Sequence, residues 1–488
     1  MTVNTPSSTK QSEHADYLQN KLIPENKYPV GKKSWWGQLY GSSLSLVFSQ
    51  LAKKQQQFML LVTADVTSAQ QLGHELKFYL ANSGTDKDIP IFHFPDWEML
   101  PYDHFSPHQD IISERLSSLY HLPRQKSGIL IVPVHSLMQQ LPPVDYIENN
   151  TLIIKQGMQI NIDQFRLEMN KKGYRYVNTV YEHGEFSVRG SLIDIFPMGS
   201  KEPYRLDLFD DELETIKTFD IETQLSIKEV SFINMMPARE FPTNKEAIEL
   251  FRQQYREQIA GDLLSSKIYS DISEGVIPAG IEYYMPLFFN STSTLFDYLP
   301  KQTLSCYFQD LHSSAEHFII DVKFRYEQYR HDINRPLLEP EKLFLTVEDL
   351  FKCFTSFHSI VYQSFEFKNK TGVSNFNSKI PDPVQIDSQT NQPLDKLKRL
   401  ISNTLKKNTG KDKILFVCET AGRRESLIDL LKIHKIYPKI FNSFSQFIDS
   451  NAELGITTGY LVNGLMFKNP QLFIIAESQL YGDQVMQR

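Results

Sequence analysis

Three groups of residues have the composition that catalysis or ligand binding needs. Gly31-Lys-Lys-Ser34 brings a glycine, lysines and a hydroxyl together. These are the ingredients of a phosphate cradle, in which backbone N–H groups face the phosphates and a lysine neutralises them. The match is superficial: the first glycine of the G-x-x-x-x-G-K spacing is missing, and no strand pattern precedes it. Gly41-Ser-Ser43, where a helix is expected to begin, has the glycine and hydroxyls but no adjacent lysine. His104 and His108 stand four apart with His93 nearby, a spacing that can set two imidazoles on one helical face. Pro107 falls between them, and the H-E-x-x-H signature is absent. Asp194, Asp207, Asp210 and Asp211 are carboxylates without an obvious base, metal or nucleophile partner, so a turn or a local ion pair suits them better. No catalytic residue, metal site or cofactor site is expected.

Recognition is the stronger case. The run from Tyr181 to Pro197, followed by Pro203–Asp211 and Ile216–Asp220, alternates apolar and polar residues around an Asp-Asp turn. That pattern reads as a compact sheet with an arginine-bearing face. Arg175, Arg189, Phe196, Tyr204 and Arg205 stand out. Residues i and i+2 of a strand share a face, which sets Val188, Gly190, Leu192 and Asp194 against Arg189, Ser191, Ile193 and Ile195 unless the register resets. Leu206 and Leu208 fill a core while Arg205 points outward, with Asp207 on the same polar strand. Arginine offers a fork to a partner carboxylate, and an aromatic can anchor a binding hot spot. From pattern alone, solvated arginines around a core phenylalanine weigh somewhat more than a docking face.

Size and composition bound the rest. At 488 residues the chain exceeds what one core usually supports, so several domains are expected. A hydrophobic content of 41% supplies those cores. The net charge of −7 argues against a nucleic-acid-binding body as a whole and leaves room only for a local basic groove. Cys306, Cys353 and Cys418 are too few and too scattered for a disulfide framework, which points to a reducing compartment. Residues 1–29 lack a signal-peptide core, and no apolar run is long enough for a membrane span, so a cytoplasmic, membrane-free protein is expected. Gly482–Arg488 ends in mid-pattern, without a capping glycine or a polar tail, which fits a truncated larger protein as well as a natural terminus.

The elements that must hold these residues change character along the chain. Helices over 42–56, 67–81 and 109–121 alternate with strands at 59–63, 91–94 and 128–134, with Ser136 capping a short helix. That is a parallel α/β layer. Strand-like segments follow at 151–155, 174–180, 187–196, 203–209 and 213–219, with one helix near 161–170, forming a small inserted α+β domain. Thr243-Asn-Lys-Glu246 reads as a capping box that opens another helix. Gly275–Phe296 reads as an ordered aromatic loop, and about 366–394 as a long polar loop. Strand 414–418, a helix over about 421–432 and strand 472–476 make a last small α/β domain. The expected division is 1–144, 145–237, 238–349 and 350–488.

The segment Tyr181–Asp220 resembles the second domain of the bacterial transcription-repair coupling factors. Four further stretches agree with that family, in its order: His93–Asp103, Glu240–Thr243 with Glu249–Phe251, Pro278–Tyr284 and Glu477–Gly482. The resemblance implies a helicase-like α/β core similar to the excision nuclease B subunit, split by the inserted domain and followed by a family-specific third domain. It further implies a degenerate nucleotide loop and no strand-clamping hairpin. The inserted domain is then expected to bind the excision nuclease A subunit through Arg175, Arg189 and Phe196, with Arg205 secondary. A C-terminal part of the same protein would mask that surface. Contacts with RNA polymerase and duplex DNA, together with ATP and magnesium, would belong to motor domains downstream of this chain. A purely structural or autoinhibitory module and a weak DNA-binding module are the alternatives.

Overall fold

The computed structural model describes residues 22–25, 28–81, 89–259, 265–379, 384–386, 393–405, 412–468 and 471–481. The expectations that concern residues 1–21, Pro381, Pro383 and the tail from Gly482 lie outside the described residues.

The first part runs β1 (Lys33–Gly37), α1 (Ser43–Gln55), β2 (Phe58–Thr63), α2 (Val66–Leu80), β3 (Ile91–His93), α3 (Gln109–His121) and β4 (Gly128–Pro133). Asp65 caps α2 by accepting from the Ser68 N–H at 2.7 Å. Ser136 lies inside a short helix, Val134–Leu137, that begins after Pro133, so it is not the cap its sequence position suggests. The chain then makes β5 (Leu152–Lys155), α4 (Ile162–Lys171), β6 (Arg175–Tyr176), β7 (Glu185–Arg189), β8 (Leu192–Phe196), β9 (Tyr204–Phe209), β10 (Glu212–Phe219), β11 (Ser226–Val230) and β12 (Phe232–Met235).

Next come α5 (Lys245–Gln258), β13 (Leu304–Phe308), α6 (Leu311–Tyr329), β14 (His358–Tyr362) and β15 (Val373–Asn375). The cap of α5 is Asn244, which accepts from the Ala247 N–H at 3.0 Å, not Thr243. Asparagine caps at least as well as threonine, and here it supplies the extended backbone an N-cap requires. The aromatic stretch 275–296 is ordered by a 3₁₀ segment, Ile281–Phe288, that is almost wholly buried. The final elements are β16 (Ser378–Lys379), α7 (Asp395–Leu405), β17 (Lys413–Cys418), α8 (Ala421–Ile433), β18 (Lys439–Ile440), α9 (Phe444–Asp449), β19 (Leu454–Thr458), β20 (Leu465–Lys468) and β21 (Gln471–Ala476).

These strands form a multidomain α/β architecture of the helicase-like kind. A seven-stranded sheet in the order β15-β1-β14-β13-β2-β4-β3 is parallel at every pairing. The chain leaves it after β4 and returns at β13. In between it builds a six-stranded sheet, β11-β10-β9-β8-β7-β6, and an antiparallel ribbon of β5 and β12. β14 and β15 lie beyond 349, the expected end of this part, yet pair within the large sheet. The last sheet, β16-β20-β21-β17-β19-β18, is parallel at its centre and antiparallel toward β16.

The large sheet is covered on both faces, which explains its near-continuous apolar strands. Leu60 and Val62 of β2 face a core shared with Phe186, Ile193 and Leu206 of the inserted sheet. Met59 and Leu61 face the opposite way, into a core shared with Leu415 and Val417 of β17 and with Phe444.

Two buried cations stand out. The Arg115 guanidinium on α3 is wholly buried and donates from Nε at 2.5 Å and from Nη2 at 3.3 Å to the two Glu240 oxygens. Its Nη1 donates to the Pro95 carbonyl at 3.0 Å, and the group lies over the Phe94 ring at 4.3 Å. This pair ties the His93–Asp103 stretch to Glu240–Thr243. At the start of β17, Lys413 donates to the carbonyls of Phe447, Ser450 and Ala452 at 3.2, 2.6 and 3.2 Å. Burial lowers its ammonium to about 8.

Because Lys413 releases its proton earlier when folded than when unfolded, the unfolded chain binds more protons above pH about 8. Stability of the last sheet is therefore expected to rise with pH between about 8 and 9.5, at no more than about 1.4 kcal/mol per pH unit. Urea titrations at several pH values check this. A Lys413→Met variant that keeps the same pH slope would overturn the assignment.

Candidate partner-docking face of the inserted sheet

Register decides which side chains of the inserted sheet stand together, since directly paired residues share a face. β7 and β8 pair Glu185 with Phe196, Ser187 with Asp194 and Arg189 with Leu192. β8 and β9 pair Asp194 with Arg205, and β6 sets Arg175 opposite Glu185. Arg175, Arg189, Phe196 and Arg205 therefore lie on one face, with Glu185 and Asp194 among them. Phe186, Val188, Ile193, Ile195 and Leu206 are buried in the core behind. Tyr204 pairs with Ile195 and belongs to that second face.

Reading 187–196 as one strand placed Asp194 opposite Arg189. The chain instead reverses at Gly190-Ser191, with Gly190 at φ +62°. Such two-residue turns need a positive φ that glycine adopts without strain. The reversal brings Asp194 back onto the face of Arg189. The Asp210-Asp211 turn between β9 and β10 forms as expected, with Asp210 at φ +53°. β6 is shorter than the expected strand 174–180. Val177 and Val180 instead pack with Phe196 and Phe219.

Electrostatically the face is built from two buried carboxylates that hold arginines. Asp194, 1% exposed, accepts from Arg205 Nε at 2.7 Å and Nη2 at 3.0 Å, and also from Arg189 Nη2. Arg205 Nη1 donates to the Gln224 carbonyl at 3.1 Å, and its guanidinium lies 5.1 Å from the Phe219 ring centre. Its side chain is 18% exposed, and hydrogen bonding to Asp194 drives its basicity higher still. Arg205 is a brace. Arg189 is half exposed, and only its Nη2 is engaged.

Glu185 repeats the arrangement. It accepts the N–H groups of Tyr181 at 2.8 Å and Glu182 at 2.9 Å, and it holds Arg175 Nη2. Burial pushes its carboxyl up, but these donors together keep it below the usual carboxylate range. Arg175 also reaches Glu182 at 3.1 Å and stays 65% exposed. Tyr181 is exposed, whereas Tyr176 pairs with Phe186 and belongs to the second face. Phe196 is buried at 4% exposure, with its ring centre 3.8 Å from that of His183 and the two rings tilted by 33°. His183 in turn contacts Asp110 of α3 at 2.6 Å and the Ser200 carbonyl at 2.8 Å, joining this sheet to the first core. Glu185 as a tether escapes sequence reasoning, and the local ion pair expected for Asp194 forms with partners that only the register identifies.

The other sequence candidates are dispersed. Gly31 precedes β1, whereas a phosphate loop follows its strand. At the start of α1, a Cβ on Gly41 would lie 2.2 Å from the Gly464 carbonyl oxygen. Ser378 Oγ sits 3.1 Å from Ser43 Oγ and accepts the Tyr40 N–H at 2.9 Å. Chain from the last sheet thus packs against the start of α1. His93 abuts Gly73, His104 packs near Tyr329, and His108 caps α3 beside Asp110. Among the described residues no cluster of three or more ligand side chains could hold a metal ion, and no helix is long and apolar enough to cross a membrane.

Residues 152–241, from the first residue of β5 to just past β12, match the family model described as UvrB interaction domain. Residues 407–480 match the model described as MFD, D3 domain. The transcription-repair-coupling factor of Haemophilus influenzae is 41% identical over 447 residues, covering 91% of this chain and 38% of that protein. The Escherichia coli factor is 38% identical over 461 residues, covering 94% and 39%. The Bacillus subtilis factor is 28% identical over 280 residues. The chain spans about two fifths of the length of the first two relatives. Inserted sheet, last sheet and overall sequence therefore agree: the chain is homologous to the bacterial transcription-repair coupling factors and carries a module of the UvrB interaction type.

Proposed function

We propose that this chain is the repair-recruitment module of a transcription-repair coupling factor and that the arginine face of its inserted sheet binds the excision nuclease A subunit. The carrying observation is that Arg175 and Arg189 are exposed, lie on one face, and are each held by a buried carboxylate through a single Nη2 contact. Each guanidinium has further N–H groups beyond that contact, and a side chain already tethered before a partner arrives pays less ordering cost on binding. Phe196 and Arg205 support the face from beneath. In the whole protein a C-terminal part would cover this surface until the motor engages stalled RNA polymerase on duplex DNA, with ATP and magnesium used there. Pull-down of purified A subunit by the inserted sheet within the full 488-residue chain tests recruitment. Loss of capture in an Arg189→Glu variant supports it, and unchanged capture overturns it.

A second reading, a structural or autoinhibitory module, draws on the same internal ion pairs, since arginines already satisfied need no partner. It requires that the A subunit not bind at all.

The chain is further proposed to have no ATPase activity of its own, supported by the packing of Gly464 and Ser378 over the start of α1. Phosphate release should stay at the buffer background with and without DNA. Turnover that co-purifies with the chain through successive columns and is lost in a Ser43→Ala variant would overturn this.

A further inference from the structure

One edge of the last sheet carries a charge opposite to that of the chain. Between Asp429 and Asp449 there is no acidic residue, yet Lys432, Lys435 and Lys439 fall there, in a chain whose net charge is −7. All three lysines are exposed, as are Ile433, Tyr437 and Ile440. The strip ends in β18, which among the described residues is an edge strand paired with β19 alone.

Its local geometry is specific. Helix α8 closes with the Lys435 N–H on the Lys432 carbonyl and the Ile436 N–H on the Leu431 carbonyl, both at 2.9 Å. Lys435 takes the left-handed position of this closure, at φ +62°. Glycine is the usual occupant because a Cβ is strained there. Beyond it the chain runs into β18, with Ile436 buried and Lys435, Tyr437 and Lys439 exposed at every second position. Lys432 has only a surface contact with Asp429 at 3.3 Å, a kind of pair that contributes little. The Lys435 ammonium has no carboxylate partner among the described residues, and Lys439 lies over the Phe441 ring at 5.6 Å. The Tyr437 ring is 69% exposed, with no ring among the described residues stacked on it.

Cations at a helix C-terminus complement the helix dipole, which accounts for Lys432 and part of Lys435. It does not account for Lys439, for the bare aromatic ring, or for a lysine where glycine fits better. We propose that Lys435, Tyr437 and Lys439 form a docking strip for single-stranded nucleic acid. The two lysines contact phosphates, and the Tyr437 ring between them stacks on a base. An aromatic platform flanked by cations is how sequence-tolerant single-strand binding is built. An acidic protein segment is less well matched, because carboxylates are best held by arginine forks and the strip has none.

The test uses the full 488-residue chain and a fluorescein-labelled single-stranded DNA of about 30 nucleotides, followed by anisotropy at about 50 to 200 mM salt. Binding is expected, with log affinity falling against log salt at a slope of about 1.4, as two phosphate contacts on a single strand require. Tyr437→Ala should weaken binding about tenfold. Lys435→Gly should weaken binding while leaving thermal stability equal or higher, a combination that a purely structural lysine would not give. The proposal is overturned if the chain does not bind the oligonucleotide, or if Lys435→Gly and Tyr437→Ala bind it as the unaltered chain does. Poly-glutamate binding as tightly as the oligonucleotide would also overturn it, in favour of an acidic protein partner.

Discussion

Alanine at Arg115, or at Glu240, is expected to lower the unfolding free energy by about 3–5 kcal/mol. Both side chains are essentially inaccessible, and the guanidinium spends its donors on Glu240 and the Pro95 carbonyl. Removing either partner strands the other charge in a medium that cannot solvate it, and that penalty exceeds the strength of the pair itself. A double replacement, Arg115→Met with Glu240→Leu, removes both charges and should recover most of the loss. Urea unfolding of the three variants decides the matter. A single alanine costing less than about 1 kcal/mol would mean that water reaches the pair.

Replacing Arg175 and Arg189 together by alanine is expected to leave the fold intact and to abolish most affinity for the excision nuclease A subunit. In the free chain both arginines are half exposed or more, and the buried carboxylates they leave keep other donors, Arg205 on Asp194 and the Tyr181 and Glu182 N–H groups on Glu185, so the cost in stability should stay at about 1 kcal/mol each. In a complex the same guanidinium groups become desolvated contacts, each worth on the order of 2–5 kcal/mol when truncated. Arg205→Ala should behave in the opposite manner. It takes two of the three arginine N–H donors from buried Asp194 and the tie to the Gln224 carbonyl, so stability falls before binding does. Calorimetric titration alongside thermal melting separates the two. Unchanged affinity of the double variant with an unchanged melt would move the contact surface elsewhere.

Long, strongly patterned elements were legible from sequence alone: α3 runs over 109–121 as its apolar spacing requires, and β2, β4 and β17 follow their aliphatic runs. The site was legible in composition but not in geometry. Arg189 and Asp194 are five residues apart, and only the reversal at Gly190 makes them neighbours. A one-residue change in register would have put them on opposite faces. Arg205 differs from Arg189 not in its own sequence context but in the proximity of Gln224 and Phe219, which arrive from β10 and beyond. Phe196 was equally compatible with a presented anchor, and burial by Val180 and Phe219 is a tertiary fact. β1 and β15 were missed because Lys33–Gly37 and Val373–Asn375 are short and sit next to polar, turn-rich sequence. Their strand character comes from pairing with each other and with β14.

The order in which the large sheet is assembled has a consequence for how the protein emerges from the ribosome. Leu61 of β2 pairs with Cys306 of β13, and β13 is made only after the entire inserted sheet. Until then one edge of β2, apolar from Phe58 to Val62, has no neighbour, and unpaired apolar edges are where nascent chains associate wrongly. The ribbon of β5 and β12 closes the excursion early and leaves β13 within reach of its slot. A slowed or truncated synthesis that stops between β12 and β13 should therefore yield a folded inserted sheet attached to an aggregation-prone half-sheet.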